Sequence, residues 1–296
     1  VLFRSPADKL ERYPAGVTVS DRHGTLLRVT LGVGDSACQP VQLSATGPWL
    51  ARAVVAAEDQ RFWKHPGVDG RALVRAIHQN ISAGRVVSGA STITTQLMRL
   101  LEPRPRRLST KLIEAFRALQ VEQRLSKAEI LEQYLNRAPF GSNLVGVEAA
   151  SRRYFGKAAA DLSLSEAALI AGLLQSPSRL RPDRHPDRAR QRRDYVLERM
   201  LACGYITPEQ QTTAAAVPVQ CARRVNPFAA PHFCDWILAR YPGLTQLRTT
   251  LDGRIQEIAE EVLHQHSPAL AAQDIHGGAI VVLDVQASAV RALVGS

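Results

Sequence analysis

Apolar residues recur at helical spacing through most of the chain and alternate strand-fashion only towards its two ends. Val17 to Thr30, VTVSDRHGTLLRVT, alternates about Arg22-His23-Gly24 and predicts a hairpin. The turn LSATGPW from Leu43, with Ser44 or Thr46 as cap, precedes a helix carrying Leu50, Val54 and Ala57 that ends near Glu58. Leu108, Leu112, Phe116 and Leu119, with Ile113 beside them, predict a helix with that stripe buried. Ser126 followed by Glu129 is a capping-box signature. The helix it opens turns Ile130, Leu131, Tyr134 and Leu135 inward and leaves Glu132 and Asn136 on the other face. Gly141, Gly146 and Gly156 break the following region into short helices, and Ser163 to Leu174 is helical and Ala-rich. Pro177, Pro182 and Pro186 separate it from a helix over Arg188 to Met200 with Val196, Leu197 and Met200 on its apolar side.

Beyond Leu201 the pattern loosens into Ala, Thr, Gln and Val and reads as a linker. LRTTLDGRIQEIAEEVLHQHS then reads as strand, turn and amphipathic helix (Ile255, Ile258, Ala259, Val262), and GGAIVVLDVQASAVRALVG as two strands about an Asp-containing turn. The expected organisation is an N-terminal hairpin segment over 1–42, a helical domain over 43–210, a linker over 211–246 and a second unit over 247–296. The fold class is mainly α, with a small N-terminal hairpin and a partial C-terminal α+β segment. No run of 18 apolar residues occurs, the opening VLFRSPADKLERYP lacks the pattern of a complete signal peptide, and residue 1 is not Met.

Composition narrows the partners. Hydrophobic content of 45% excludes disorder, and a net charge of +10 favours an anionic partner. Nucleic acid is not expected, because the Arg-rich stretch lacks recognition-helix spacing, an RNA-binding aromatic pair or a zinc motif. Cys38, Cys203, Cys221 and Cys234 have no CxxC spacing, so a metal cluster is not expected, and Cys203 and Cys221 read either as a bridge or as buried thiols.

Chemistry concentrates between Ala53 and Leu101. An apolar run delivers the adjacent carboxylates Glu58 and Asp59, followed by Phe62, Trp63, His65 and Asp69. Further on, SGASTITTQ gathers Ser88, Ser91, Thr92, Thr94, Thr95 and Gln96, more polar groups than a core segment needs, since each one buried must find a partner. Arg85 to Ser88 reads as a loop ahead of it. Lys111 and Glu114, three apart, read either as a surface ion pair or as a second carboxylate with its own cation, facing the first across a cleft. Arg99, Arg104, Arg106, Arg107 and Lys111 cluster beside the apolar LMRLL of Leu97 to Leu101, a combination that suits anionic headgroups.

EDQRFWKHPGVD (Glu58 to Asp69), GASTITTQ (Gly89 to Gln96), the Lys111 and Glu114 pair, KAEILEQYLN (Lys127 to Asn136) and RRYFGK (Arg152 to Lys157) together resemble the five successive motifs of the bacterial peptidoglycan glycosyltransferases, glycosyltransferase family 51. The resemblance implies a lysozyme-like helical lobe that polymerises lipid II into glycan strands with inversion. It implies Glu58 as general base, Asp59 as an orienting group and Lys111 as the cation for the departing pyrophosphate. Glu114 would be a second acid or a ligand to Mg2+ or Mn2+. Ser91, Thr92, Thr94, Gln96, His65, Arg153 and Lys157 would serve donor phosphates and sugar hydroxyls. The implied partners are lipid II, the growing strand, the membrane surface and other cell-wall synthesis proteins, at the periplasmic face of the inner membrane with a single N-terminal anchor. The last unit resembles the opening strands of a penicillin-binding transpeptidase domain, but the chain contains no SxxK tetrad or KTG triad, so acyl transfer is not expected of it. Two positions depart from the family pattern: Thr110 stands where Arg is usual, with Arg106 or Arg107 as substitutes, and Thr95 where Gln or Met is frequent. A lysozyme-like glycan hydrolase and a non-catalytic lipid II-binding scaffold are the alternative readings.

Overall fold

The computed structural model describes residues 10, 13, 16–32, 37–85, 91–105, 107–222, 228–271 and 273–295. The chain is predominantly α-helical with minor β elements, and its contacts divide it into two units, one of Val1–Pro14 with Cys38–Arg224 and one of Ala15–Ala37 with Val225–Ser296. All four cysteines are free thiols. No described helix is long and apolar enough to cross a membrane.

The first unit is built around α7, Leu164–Leu173, which is buried on every side, from Ser165 and Ala167 to Leu173. A helix apolar all round can only be central. Before it come α1 (Gly47–Glu58), α2 (Gly70–Ala83), α3 (Ile93–Leu101), α4 (Leu108–Glu122), α5 (Lys127–Leu135) and α6 (Val147–Phe155); after it, α8 (Pro186–Ala202) and α9 (Pro208–Ala216). α1 and α8 pack on α7, and α3 packs on both α4 and α5. Small residues let α7 and α8 approach: a Cβ on Gly172 would lie 2.9 Å from Cγ of Arg192. Val196, Leu197 and Met200 of α8 are buried as the pattern predicts. So is Arg193, only 1% exposed, which donates to Ser165 Oγ at 3.2 Å and to the carbonyls of Ala215 (2.7 Å) and Val217, and pairs with Asp194.

Capping chemistry sets several helix starts. Ser126 and Glu129 close the box expected at α5, and Ser163 with Glu166 does the same for α7. Thr46 occupies the cap position of α1, but its hydroxyl donates to the Leu43 carbonyl instead, and Pro48 in the first turn lacks the N–H a cap would serve. Ile130, Leu131, Tyr134 and Leu135 of α5 point inward. On its other face Glu132 accepts from the Leu43 N–H at 2.8 Å and Asn136 brackets Val41, so this motif fastens the segment leading to α1.

The structure corrects the reading of α4. Leu112, Phe116 and Leu119, expected in the core, are exposed (73%, 44% and 40%), whereas Thr110, Glu114, Arg117, Ala118 and Val121 are buried. Periodicity marks two faces but not which one turns inward, and here the polar face has partners inside: Thr110 donates to the Pro105 carbonyl at 2.7 Å and Glu114 pairs with Arg99. The side chain of Leu108 lies outside the described residues. In α3, by contrast, Leu97 and Met98 of the LMRLL segment are buried, so the apolar surface expected there lies on α4.

In the second unit, the hairpin of β1 (Thr18–Ser20) and β2 (Leu26–Val29) turns on Asp21, whose Oδ1 accepts from the N–H groups of His23 and Thr25, both at 2.8 Å. Strand β3 (Gln246–Arg248) adds parallel to β1, and helix α10 (Pro231–Arg240) supplies Phe233 and Cys234 to a core with Val19, Leu27 and Leu251. Helix α11 (Gly253–Ala271) packs Ala259 against Ala292 and Val294 of the antiparallel pair β4 (Ile280–Asp284) and β5 (Ala289–Val294). Its inward stripe is Ile255, Ala259 and Leu263; Ile258 and Val262, predicted on the same side, are 58% and 41% exposed. The stretch 211–246 thus holds α10 and the end of α9 as well as connecting chain.

Candidate active site

Glu58 is the last residue of α1, where the apolar run that buries the helix ends. Its Oε2 accepts from Nε2 of Gln96 on α3 at 2.9 Å, and Oε1 of Gln96 accepts from the hydroxyl of Tyr134 on α5, also at 2.9 Å. Burial pushes the Glu58 carboxyl above its ordinary value; the Gln96 bond and the charge of Arg192 pull against that, and Asp59 adds to it. Tyr134, 2% exposed, has its hydroxyl pKa raised well above the usual tyrosine value, first by burial and then by the charge of Glu58.

The adjacent Asp59 points elsewhere. Its carboxylate takes His65 Nε2 at 2.9 Å and the backbone N–H of Ile93, the first residue of α3, at 3.0 Å. His65 Nδ1 in turn accepts from the Gly67 N–H at 3.1 Å, which leaves Nε2 to face Asp59. Asp59 therefore places a negative charge at the N-terminus of α3, where the helix dipole stabilises it. Gly67 sits at φ +96°, and a Cβ there would come within 3.0 Å of the Ala118 carbonyl oxygen. Asp69 caps α2 through the N–H groups of Arg71 and Ala72 and pairs with Arg61. Within the first motif, Glu58 is the residue whose side chain meets that of Gln96.

The hydroxyl-rich motif builds the start of α3. Thr92 and Thr95 form a reciprocal capping box, and Thr92 also donates to the Gly67 carbonyl at 2.6 Å. Thr94 donates to Glu122 at 2.6 Å. Thr92 and Thr94 are 2% and 0% exposed, so these hydroxyls hold the helix instead of facing an open surface; Ser91 is exposed. Thr95 has its own use, since its hydroxyl accepts from the Thr92 N–H at 2.8 Å, a bond a Met could not make. Ser88, Gly89, the loop read over 85–88 apart from Arg85, and Arg106 lie outside the described residues.

Three residues on from Gln96, Arg99 donates Nε and NH2 to the two oxygens of Glu114 at 2.9 and 2.7 Å. Glu114 thus pairs with Arg99, and the neighbouring Lys111 is exposed with no recorded partner among the described residues. Sequence reasoning placed Arg99 only in a basic cluster; the signal was its spacing from Gln96, which puts both on one face of α3. Arg153 and Lys157 pair with Asp183 and Glu166 and make no recorded contact with the Glu58 cluster among the described residues. For a divalent ion the donor set is thin. Among the described residues no three His, Cys, Asp or Glu side chains gather, and an ion at Glu114 would have to take the place of the guanidinium.

Removing Arg99 leaves a buried carboxylate behind. Arg99→Ala is expected to cost roughly 1–3 kcal/mol of stability, less than a fully enclosed pair because the Arg99 side chain is 36% exposed against 8% for Glu114. Urea unfolding measures it; a loss of only about 0.3 kcal/mol makes the pair an ordinary surface contact.

Residues 24–201 match the family described as Transglycosylase, and the chain belongs to that family. It is 44% identical over 257 residues to penicillin-binding protein 1C of Escherichia coli, covering 87% of this chain and 33% of that protein. Against penicillin-binding protein 1A of Aquifex aeolicus the identity is 43% over 226 residues, covering 73% and 31%. The chain thus spans about a third of the length of these curated relatives. A crystal structure of penicillin-binding protein 1A from Haemophilus influenzae overlays 93% of this chain and 32% of its own at 22% identity and a TM-score of 0.42, a likeness too loose to carry an argument.

Proposed function

We propose that the chain is the glycosyltransferase-bearing part of a penicillin-binding protein of the 1C type, which polymerises lipid II with inversion at the anomeric carbon. The observation that carries the reading is one face of α3: Gln96 holds the first acid, Glu58, and Arg99 holds the second, Glu114. The two carboxylates are spaced by a rigid element, as a site flanking a sugar bond requires.

In this reading the 4-hydroxyl oxygen of the acceptor sugar attacks the anomeric carbon of the donor. The bond from that carbon to the pyrophosphate oxygen breaks, the hydroxyl proton passes to Glu58, and the lipid pyrophosphate leaves with the bonding electrons. A carboxyl raised by burial suits a base working near neutrality, and kcat/KM rises with pH as Glu58 ionises. Lys111, exposed and uncommitted among the described residues, supplies charge to the leaving group. Ser91, Arg153 and Lys157 are the remaining candidates for phosphates and sugar hydroxyls, while Asp59, His65, Thr92 and Thr94 act from within by holding α3.

The site is placed at the periplasmic face of the inner membrane, held there in the longer protein by one anchor, with other cell-wall synthesis proteins as partners and 247–296 opening a transpeptidase domain. Incubation with labelled lipid II in detergent, with and without magnesium, tests the reading. Polymer is expected; cleavage of preformed glycan alone makes the protein a hydrolase, and binding without turnover a scaffold.

The exposed apolar face of α4, with Arg104, Arg107 and Lys111 exposed on and just before that helix, favours contact with anionic lipid. Flotation is expected to recover the chain with vesicles containing phosphatidylglycerol and to lose it in the double variant L112D/F116D. Equal recovery with neutral vesicles at low salt removes the electrostatic part, and full recovery of the double variant removes α4.

A further inference from the structure

Gln96 has one amide and two polar neighbours that decide how it lies. An amide can present either its oxygen or its NH2 group to a carboxylate, and only the second is attractive. The Glu58 carboxylate, which can only accept, selects the NH2 group, and the buried Tyr134 hydroxyl holds that arrangement from the other side by donating to the Gln96 oxygen. A phenol in this position is a fixed device. It is held in α5 among Ile130, Leu131 and Leu135, all at most 1% exposed, and α5 packs on α3.

We infer that Tyr134 is a positioning residue for the reaction, acting through the Gln96 amide to keep Glu58 oriented and ionisable as a base. The inference rests on the glycosyl-transfer reading for its kinetic half; its other half, the ionisation of Glu58, does not. Several charges face this relay. Asp59 lies beside Glu58 and opposes its ionisation, Arg192 from α8 favours it, and Arg99 from α3 acts on Tyr134. Tyr134 remains neutral at working pH, so replacing it with Phe removes a hydrogen bond and no charge. The Gln96 oxygen loses its buried donor, the amide is held less firmly against Glu58, and the Glu58 pKa moves further up. A side chain that merely fills space would change unfolding and not this titration.

The test is Tyr134→Phe in the full chain, with Glu58 followed by 13C NMR of labelled carboxyls and assigned by its loss in E58Q. The Glu58 midpoint is expected to rise. In lipid II polymerisation kcat is expected to fall about tenfold, a change of roughly 1.4 kcal/mol, with KM unchanged and the acidic limb of the pH profile moved upward. Tyr205→Phe, outside the relay, is expected to change neither. Gln96→Leu reads the same bridge from its other end should Y134F not fold, and adding Y134F to Q96L is expected to move the midpoint no further. An unchanged Glu58 midpoint in folded Y134F or Q96L overturns the relay. A midpoint that moves in a protein whose parent makes no polymer upholds the relay and rejects the reaction instead.

Discussion

A Glu58→Gln protein is expected to make no detectable polymer while remaining folded and able to bind lipid II. Loss of a positioned base costs on the order of 10² to 10⁴ in rate. The substitution is nearly isosteric, and a Gln oxygen still accepts from Gln96, so the neighbourhood stays intact. Stability moves the other way. A carboxyl whose pKa is raised on folding contributes stability below its unfolded value and loses it as pH rises through the folded one. At neutral pH Glu58 therefore costs stability, and the Gln variant should melt no lower than the parent. Polymerisation at the parent rate by a folded E58Q protein removes Glu58 from the mechanism; a lower Tm together with lost activity assigns it a structural part.

Lys111→Ala is the second large effect. Lys111 is exposed and has no recorded partner among the described residues, so its removal is expected to leave unfolding unchanged. If it supplies charge to the departing pyrophosphate, kcat/KM for lipid II falls by about 10² to 10³, comparable to losing an oxyanion donor. This combination separates it from Glu114 and Arg99, where stability and activity are entangled. Thr110 will not compensate. It is buried and bonded to the Pro105 carbonyl, so Thr110→Arg must break that bond and force a long cation inward, and no gain in rate is expected. A K111A protein with parental kinetics returns this turn to an exposed surface.

Which parts of this were legible beforehand depends on how local their physics is. Capping at Ser126 was readable because donor, acceptor and spacing lie within one turn. The inward set of α5 followed from periodicity. The orientation of α4 did not, because Leu112, Phe116 and Leu119 form a good apolar stripe whichever way the helix faces, and the choice was made by Arg99, which lies 15 residues from Glu114. For the site, Glu58 and Glu114 were visible as acids in ordered motifs. That Asp59 binds the start of α3, 34 residues on, or that Tyr134 reaches Gln96 across 38, required the packing of three helices. The hydroxyls of Thr92 and Thr94 looked available for ligand for the same reason: their partners, Gly67 and Glu122, are distant in sequence.

The burial of Arg193 sets where the helical unit can be shortened. Its guanidinium is buried, and two of its acceptors are the carbonyls of Ala215 and Val217, past the end of the motif-bearing helices. A truncation at residue 210 would keep every candidate active-site residue but take away two of the four partners of Arg193, leaving it Ser165 and Asp194, and would uncover it beside α7. Recombinant versions of the domain keep the full set of Arg193 acceptors only if they run through Val217, a stretch with no chemistry of its own.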